Sequence, residues 1–374
     1  MSEYLGKDIF KLGFGLMRLP KNADGSTDIE QVKKMVDLFL AAGGTYFDTA
    51  YVYDMGRSEE AFRKAVVERY PRESFTLCTK INAWEQCHDE ESCKQQFYTS
   101  LERTGAGYFD FYLLHGLMPN NYRKFDEYHI WDFVKEKKAA GLIKNYGFSF
   151  HGSAELLEQI LYEHPDVDFI QLQLNYADWE DERIQSGACY EVARKHNKPI
   201  TVMEPIKGGA LANPIPSVQA IFKASRPDLS PASWAIRFVA GMDGIITVLS
   251  GMSNIAQMED NLSYMKNFQP LSSEEHAVLK QAKAAIAAVD SIKCTGCRYC
   301  VEGCPMNIQI PNIFSARNTQ LMYNDLNGAK RSYGFMTRNH GKASDCLQCG
   351  QCEAACPQHL PIITLLQECA AALE

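Results

Sequence analysis

Eight of the thirteen cysteines fall into two copies of one pattern, in which three cysteines recur at every third position and a fourth is followed by proline. The two runs are Cys294-x2-Cys297-x2-Cys300-x3-Cys304-Pro305 and Cys346-x2-Cys349-x2-Cys352-x3-Cys356-Pro357. This spacing is typical of chains that hold 4Fe–4S clusters through cysteine thiolates. The sequence therefore predicts two clusters and a protein whose chemistry involves the movement of electrons.

In two-cluster proteins with this spacing, the fourth cysteine of each run binds the other cluster. One cluster would then be held by Cys294, Cys297, Cys300 and Cys356, and the other by Cys346, Cys349, Cys352 and Cys304. A structural zinc site is the weaker interpretation, because zinc uses paired CxxC units separated by a spacer. Disulfide bonds are also disfavoured, because the sequence shows no secretory segment.

Composition and charge narrow the classes of protein to consider. Hydrophobic residues make up 46% of the 374 residues and charged residues 22%, which is ordinary for a globular protein. The formal net charge of -8 argues against nonspecific binding to nucleic acid. No stretch approaches the roughly 18 uninterrupted apolar residues of a membrane-spanning helix. Reduced thiols and oxygen-sensitive clusters lead us to expect a cytoplasmic protein with no nucleic-acid or membrane partner.

The cysteine density changes abruptly near Ser291, with four cysteines before it and nine after it. Ser272 and Glu275 form a capping-box signature that predicts a helix leading into the cysteine-rich region. We therefore expect a large domain over residues 1–270, a linking helix over 271–290 and a cluster-bearing domain over 291–374. The 41 residues between Cys304 and Cys346 predict that this last domain is small and mainly helical.

Short apolar runs alternate with helical patterns through the large domain. The eight predicted strands are Leu12–Gly15, Thr45–Asp48, Phe75–Thr79, Phe109–Leu114, Ile143–Phe148, Phe169–Leu174, Ile200–Met203 and Gly244–Leu249. Apolar strands that alternate with helices indicate a parallel sheet, and eight such units favour a closed (β/α)8 TIM barrel. A doubly wound dinucleotide-binding fold is the competitor, but its glycine fingerprint fails at Arg18 and Pro20 blocks a helix there. Predicted helices include 58–68, 125–140, 153–163 and 230–239.

Polar side chains follow three neighbouring strands at the barrel end where active sites form. Asp48 ends the second strand, Lys80 follows the third and His115 follows the fourth. Tyr53 lies five residues beyond Asp48. Each has an ordinary structural interpretation by itself, as a helix cap, a solvated strand end, or a core ring. Because strand ends converge in a barrel, the four together predict a catalytic site.

The residues around these positions resemble the aldo-keto reductase superfamily. The matching segments are Phe47-Asp48-Thr49-Ala50-x-x-Tyr53, Cys78-Thr79-Lys80, Leu113-Leu114-His115-Gly116 and Gly251-Met252-Ser253-Asn254-Ile255-x-Gln257-x-Glu259-Asp260-Asn261. The resemblance spans about residues 10–265, and the tail resembles the dicluster ferredoxin-type domain fused to one branch of that superfamily. It implies the reduction of a small-molecule carbonyl, or the oxidation of an alcohol, with a nicotinamide cofactor.

The resemblance also implies a role for each of the four polar residues. Tyr53 would donate a proton to the carbonyl oxygen as general acid, and Lys80 beside it would shift the pKa of the phenol toward neutrality. Asp48 would hold the Lys80 ammonium in place, and His115 would orient the substrate oxygen. The residues expected to line the substrate mouth are Arg18, Tyr51 and Trp84, with packing as an equal alternative for Trp84.

The cofactor-binding residues implied by the resemblance fall into three groups. The nicotinamide end would be held by Gly15, Met17, Ser149, Gln173 and Met203, the pyrophosphate by Lys207, Gly208 and Gly209, and the adenosine end by Gly251, Ser253, Gln257 and Asn261. Three positions depart from the family pattern. Phe150 replaces the usual asparagine, Met203 the aromatic that stacks on nicotinamide, and Ser253 the basic residue near an NADP phosphate. NADP and NAD both stay open, and a flavin is an alternative occupant.

A hydride carries two electrons whereas each cluster carries one, so direct transfer from a reduced nicotinamide to a cluster is unfavourable. Three interpretations of the relation between the barrel and the cluster domain follow. The favoured interpretation is a reductase whose clusters exchange electrons with a redox partner such as ferredoxin, through a flavin or redox-active substrate as converter. The alternatives are an ordinary NAD(P)H carbonyl reductase with purely structural clusters, and a non-enzymatic electron carrier with an inactive barrel. The other cysteines, expected to be buried small hydrophobic residues, are Cys78, Cys87, Cys93, Cys189 and Cys369.

Overall fold

Eight parallel strands close into a barrel in the computed structural model, which describes residues 4–84, 87–182, 184–294 and 296–374. The strands are β1 Leu12–Gly15, β2 Tyr46–Asp48, β3 Thr76–Ile81, β4 Phe109–Leu117, β5 Ile143–Phe150, β6 Phe169–Gln173, β7 Ile200–Met203 and β8 Ile245–Ser250. Each strand pairs with the next, and β1 pairs with β8 to close the ring. The predicted (β/α)8 barrel is confirmed, and every strand ends within three residues of its predicted position.

The strands read as near-continuous apolar runs because both of their faces are covered. Every residue of β8 is buried, and β4 is buried except at His115. Helices cover the outside of such a barrel and side chains fill its inside. The packing is close enough that a Cβ atom added at Gly147 in β5 would lie 1.9 Å from the backbone oxygen of Phe169 in β6.

Helices follow the strands and bring the chain back to the start of the next strand. Those up to residue 265 are α1 Ile29–Ala41, α2 Arg57–Phe62, α3 Glu90–Thr104, α4 Lys124–Glu127, α5 Ile130–Ala139, α6 Ala154–Glu163, α7 Ser186–Lys195, α8 Pro216–Ser225, α9 Pro231–Ala240 and α10 Ile255–Met265. The single helix predicted over 125–140 is wrong. His129 takes a left-handed conformation, with φ of 48°, between α4 and α5 and interrupts the helix.

The chain packs into two compact units. The first contains the described residues up to Pro205 together with Ser233–Leu271, and the second contains Ile206–Ala232 and Ser272–Glu374. The helices after α10 all belong to the second unit and are α11 Ser273–Ala287, α12 Tyr299–Glu302, α13 Ile310–Tyr323, α14 Leu326–Met336, α15 Gln351–Ala354 and α16 Ile362–Leu373. The predicted capping box starts α11, where Ser272 and Glu275 each bond the other's backbone N–H. The domain limits at residues 270 and 290 stay a prediction.

The second unit has an apolar core of its own beside the two cysteine runs. Ile308, Ile310, Ile313, Phe314 and Leu366 are each no more than 1% exposed. α13 packs against both α14 and α16. The long interval between Cys304 and Cys346 thus forms helices, as predicted, and the tail is mainly helical. Within the described ranges, no helix combines the length and apolarity needed to cross a bilayer.

Candidate active site and cysteine cavities

Asp48 and Lys80 form a buried ion pair near the ends of β2 and β3. Lys80 Nζ donates to Asp48 Oδ1 at 2.6 Å and to the backbone oxygen of Thr49 at 2.6 Å. Lys80 is fully buried and Asp48 is 4% exposed. Burial is the largest single influence and opposes the charge on Lys80, but Asp48, Tyr53 and Cys78 together outweigh it, so the pKa of the ammonium is raised above 10.5. Asp48 therefore holds the protonated Lys80 ammonium in a fixed position inside the barrel mouth.

Tyr53 begins a short 3-10 turn, Tyr53–Gly56, after β2. Lys80 Nζ lies 4.7 Å from the centroid of the Tyr53 ring, and the centroid of the His115 ring lies 5.6 Å from it in an edge-to-face arrangement. Asp54 and Met55 take left-handed conformations, with φ of 51° and 57°. Ion pairs from Lys21 and Arg57 to Asp54 hold this turn. The four residues that the sequence predicted as catalytic therefore meet at one point.

Burial decides the protonation states of Tyr53 and His115. It raises the pKa of the Tyr53 phenol above 10.0, even though the charge on Lys80 lowers that pKa. The expected shift of the phenol toward neutrality is wrong, because desolvation of the phenolate exceeds its attraction to Lys80. Burial, followed by the Lys80 charge, holds the pKa of His115 well below 6.5. Near neutral pH the site thus contains a protonated phenol and a neutral imidazole.

His115 has an unsatisfied ring nitrogen. Its Nδ1 is buried and finds no hydrogen-bond partner among the residues that the structure describes. Trp84 packs on the same ring, with centroids 5.7 Å apart, and its Nε1 donates to the backbone oxygen of His115 at 3.0 Å. A buried polar atom without a partner costs free energy and points to a functional role. The arrangement fits an imidazole that is fixed in place and available to a ligand.

Other residues that the sequence analysis did not single out support the cluster. Gln171, from β6, donates to Asp48 Oδ2 at 3.3 Å. Arg103, from α3, donates to the backbone oxygen of Tyr51 at 3.1 Å and stacks on its ring at 4.5 Å. Arg103 also pairs with the buried Glu59 at 3.4 Å. A glutamine inside an apolar strand was a usable signal in the sequence, but the role of Arg103 depends on how α3 packs.

Ser149, Gln173 and Met203 lie at or near the ends of three consecutive strands, β5, β6 and β7. Ser149 Oγ accepts a hydrogen bond from the backbone N–H of Gly116 at 2.7 Å. Gln173 Nε2 donates to Asp178 Oδ2 at 3.1 Å, and Gln173 pairs with Met203 across the two strands. The structure therefore brings these three predicted cofactor residues to one side of the barrel mouth.

An open cavity of about 370 Å³ adjoins the ends of β5 and β6. Its lining includes Phe150, His151 and Gln173. Burial lowers the pKa of His151, so this imidazole is also neutral near pH 7. Phe150, which replaces the usual asparagine of the family, and the adjacent His151 therefore form part of the cavity wall. The cavity is large enough for part of a cofactor or substrate.

The residues predicted for the adenosine end surround the start of α10. Ser253 donates its backbone N–H to Gln257 Oε1 at 2.7 Å, and Asn261 Nδ2 donates to Ser250 Oγ at 2.8 Å. Gly251 follows β8 directly. A helix start presents unpaired N–H groups and a partial positive charge, which suits a phosphate. The structure thus links Ser253 to Gln257, and Asn261 to Ser250 at the end of β8, next to Gly251.

Two further groups of predicted cofactor residues are placed differently. Gly15 ends β1, where a Cβ atom would lie 3.5 Å from the backbone oxygen of Ser250, and the nearby Met17 is 57% exposed. Lys207, Gly208 and Gly209 form a 3-10 turn in the second unit, with φ of 47°, 67° and 109°. A Cβ atom added at Gly209 would meet nothing within 4 Å, so a ligand could approach the backbone of this turn.

Two small cavities lie between the cysteine runs. Cys294, Cys297, Cys300 and Cys356 line the first, and Cys304, Cys346, Cys349 and Cys352 line the second. The fourth cysteine of each run thus faces the cavity of the other run, which is the arrangement that the spacing predicted. Four thiols around an otherwise apolar space fit a 4Fe–4S cluster as the bound group.

A single zinc ion would require its ligands to be grouped tightly. Zinc would draw its sulfur ligands to about 2.3 Å from one centre. Within the described ranges, no three His, Cys, Asp or Glu side chains come close enough to one another for that. The five cysteines outside the runs are buried, as predicted for small hydrophobic residues.

A parallel barrel carries a buried acid–amine pair and a half-buried phenol and imidazole at its carboxyl end, and a cysteine-rich helical tail follows it. Together these features indicate an oxidoreductase with an appended iron–sulfur domain. Residues 11–284 match the aldo/keto reductase family, and residues 293–360 match the 4Fe-4S dicluster domain. The chain belongs to the aldo/keto reductase family and carries a 4Fe–4S dicluster domain after its barrel.

Individual relatives are distant. The uncharacterized oxidoreductase YqkF of Bacillus subtilis is 27% identical over 298 residues, which cover 73% of this chain and 92% of the relative. Aldo-keto reductase str7 of Strobilurus tenacellus is 30% identical over 214 residues, which cover 54% of this chain and 60% of that protein. Each of these relatives therefore matches only part of this chain.

Among solved structures, the holo form of an aldo-keto reductase from Bacillus halodurans matches with a TM-score of 0.58 and 25% identity, covering 75% of this chain and 95% of that chain. An aldo/keto reductase from Klebsiella pneumoniae in complex with NADP and acetate matches with a TM-score of 0.58 and 19% identity, covering 73% of this chain and 91% of that chain. At that identity the second likeness shows the shared fold.

Proposed function

We propose that the barrel reduces a small-molecule carbonyl compound, or oxidises the matching alcohol, with a nicotinamide dinucleotide. The observation that carries this proposal is the meeting of Tyr53, His115 and the Lys80–Asp48 pair. Lys80 Nζ is 4.7 Å from the Tyr53 ring and 2.6 Å from Asp48, and the two aromatic rings are 5.6 Å apart. Membership of the aldo/keto reductase family supports it.

A reduced nicotinamide, when bound, supplies a hydride to the carbonyl carbon. Tyr53 donates its phenolic proton to the carbonyl oxygen, and water later returns a proton to the phenolate. Lys80, whose Nζ lies 4.7 Å from the centroid of the Tyr53 ring, stabilises that phenolate by the attraction of opposite charges. The neutral His115 donates an N–H to the carbonyl oxygen as negative charge develops there. Asp48 keeps the Lys80 ammonium in position throughout.

The residues proposed to hold the nucleotide are Gly15, Met17, Ser149, Gln173 and Met203 for the nicotinamide end, Lys207, Gly208 and Gly209 for the pyrophosphate, and Gly251, Ser253, Gln257 and Asn261 for the adenosine end. The position of Ser149 and Gln173 at strand ends and of Ser253 at the start of α10 supports this assignment. Because Ser253 is uncharged, either NADP or NAD would fit.

Each cysteine-lined cavity is proposed to hold one 4Fe–4S cluster, through the four cysteines that line it. The clusters, when bound, supply one-electron transfer. Cys297 and Cys349 are exposed, so each cavity reaches the surface, where a redox partner such as ferredoxin could exchange electrons. Because a hydride carries two electrons, coupling to the barrel would need a flavin or a redox-active substrate as converter.

The barrel activity is tested by the Tyr53→Phe variant, which removes the proton donor and preserves the ring. We expect NADPH-dependent or NADH-dependent reduction of an aldehyde to fall by about 10²- to 10⁴-fold, with unchanged visible absorbance from the clusters. Tyr162→Phe is the matched control, because Tyr162 is a 66% exposed tyrosine on α6 and should keep full activity. Full turnover by Tyr53→Phe would rule out this catalytic assignment.

The redox coupling is tested by an anaerobic titration with NADH and then NADPH, followed by visible absorbance and EPR. Reduction of the clusters would support electron transfer from the nucleotide to the clusters. The visible absorbance of the cofactors extracted from the protein would then show whether a flavin is bound. Clusters that stay oxidised while an aldehyde is reduced would contradict coupling between the barrel and the tail.

A further inference from the structure

One helix of the second unit connects a cysteine cavity to the turn after β7. Near its start, Ile310, Pro311 and Phe314 line the first cavity. At its other end, the Tyr323 ring lies against Lys207, with Nζ 5.2 Å from the ring centroid. α13 has 14 residues, which correspond to about 21 Å along the helix axis. A rigid element therefore begins at one proposed site and ends at the other.

The Lys207 turn requires such support. Three consecutive residues, Lys207 to Gly209, have φ between 47° and 109°, and this conformation is unfavourable for a lysine. Strained backbone persists when the surrounding structure holds it in place. Tyr323 is 7% exposed, so its ring is a fixed surface against which the lysine side chain packs.

The remainder of the segment that follows β7 is also tied to the tail. α8 packs against α11, and α11 contacts α13. Arg226, directly after α8, pairs with Glu275 of α11 at 3.1 Å. The segment 206–232 is thus held by helices of the second unit at two places, the Lys207–Tyr323 contact and the α8–α11 contact.

We propose that Tyr323 is a positioning residue for the nucleotide, which holds Lys207 where it meets the pyrophosphate, and that the seating of α13 on the first cysteine cavity sets nucleotide affinity. This proposal rests on the proposed function, in which Lys207 contacts the pyrophosphate. Thermodynamic reciprocity requires that a nucleotide bound at this turn also stabilises the seated form of α13, and with it the first cluster.

The first test measures the affinity of the cluster-loaded protein for NADPH by anaerobic fluorescence titration. Replacing the aromatic ring in Tyr323→Leu should weaken binding about three- to ten-fold, the range expected for loss of a cation–π contact. Tyr323→Phe keeps the ring and should bind like the wild type. Phe335→Leu is the matched control, because Phe335 is an aromatic of α14 that is 74% exposed.

A double-variant comparison separates positioning from general loosening of the tail. In a Lys207→Met background, Tyr323→Leu should cause no further loss of NADPH affinity. An equal loss in both backgrounds would overturn the proposal, and so would wild-type affinity in Tyr323→Leu with intact clusters. In either case NADPH still binds and the proposed function stands. A wild-type protein that binds neither NADPH nor NADH would overturn both.

A second measurement needs no variant and remains decisive if Tyr323→Leu does not fold. The wild-type protein is exposed to an iron chelator with and without saturating NADP⁺, which brings no electrons to the clusters. The proposal predicts a slower loss of visible cluster absorbance with NADP⁺ present, and Lys207→Met should reduce this protection. Cluster loss at the same rate with bound NADP⁺ would overturn the coupling.

Discussion

Lys80 and Asp48 are joined by a 2.6 Å hydrogen bond inside the barrel mouth, where neither side chain has more than a trace of solvent contact. Asp48→Asn leaves the ammonium without its counter-charge, so we expect the free energy of unfolding to fall by about 3–5 kcal/mol. Anaerobic urea unfolding followed by circular dichroism measures this change.

The matched control is the exposed ion pair between Lys33 and Glu30, at 2.8 Å on the surface of α1. Glu30→Gln should change the free energy of unfolding by less than about 1 kcal/mol, because solvent screens exposed pairs. Equal losses for the two variants would show that burial does not strengthen the Lys80–Asp48 pair.

The pH dependence of carbonyl reduction follows from the two shifted groups. Tyr53 acts in its protonated form, and its raised pKa keeps it protonated to above pH 10. His115 acts in its neutral form, and its lowered pKa keeps it neutral to below pH 6.5. We therefore expect kcat for reduction to be flat between about pH 7 and 9. A decline over that range with an apparent pKa near 8 would mean that Lys80 outweighs burial after all.

The fourth cysteine of each run lines the cavity of the other run, and this arrangement predicts which cysteine variants damage the same cluster. Cys300→Ser and Cys356→Ser should each remove roughly half of the bound iron, and the double variant should lose no more, because both residues line the first cavity. The combination of Cys300→Ser and Cys304→Ser should lose nearly all of it, because Cys304 lines the second cavity. Iron analysis and EPR provide the measurement. Additive loss for Cys300 and Cys356 would contradict this arrangement.

Two glycine substitutions of the same kind should have opposite effects. Gly147→Ala places a Cβ atom 1.9 Å from the Phe169 backbone oxygen, and a strand of the barrel cannot move aside cheaply. We expect a loss of about 3 kcal/mol or more. Gly334→Ala lies on an exposed face of α14 with nothing within 4 Å, so it should gain about 0.5–1 kcal/mol. Thermal unfolding of both variants distinguishes these cases, and a tolerated Gly147→Ala would call the β5–β6 packing into question.

The strands could be predicted because each is a short apolar run that is buried on both faces. When such runs alternate with helical patterns, strands of a parallel sheet are the structure that they favour. The four polar residues of the barrel mouth could be brought together for the same reason, since strand ends converge. The cysteine pattern was informative because a cluster fixes its ligands through local spacing. These features depend on neighbours in sequence or on the topology alone.

Other features depend on packing that no local pattern reports. The direction of the Tyr53 pKa shift is set by burial of the phenol. Burial raises this pKa by more than the nearby Lys80 lowers it. The helix breaks at His129 because this residue takes a left-handed conformation, which the presence of a histidine does not predict. The support from Arg103 requires α3 to pack under the Tyr53 turn, and grouping residues 206–232 with the tail requires contacts across a long stretch of chain.

That last grouping has a consequence for synthesis on the ribosome. α8 leaves the exit tunnel well before α11 and the cysteine runs, yet it belongs to the same compact unit. At roughly 5–20 residues per second, residue 374 follows the end of α8 by about 7 to 30 seconds. For part of that time α8, whose Val218 and Phe222 are buried in the finished protein, lacks α11, the helix against which it packs. The nascent chain therefore exposes an apolar segment in the midst of its barrel until the cluster-bearing helices emerge.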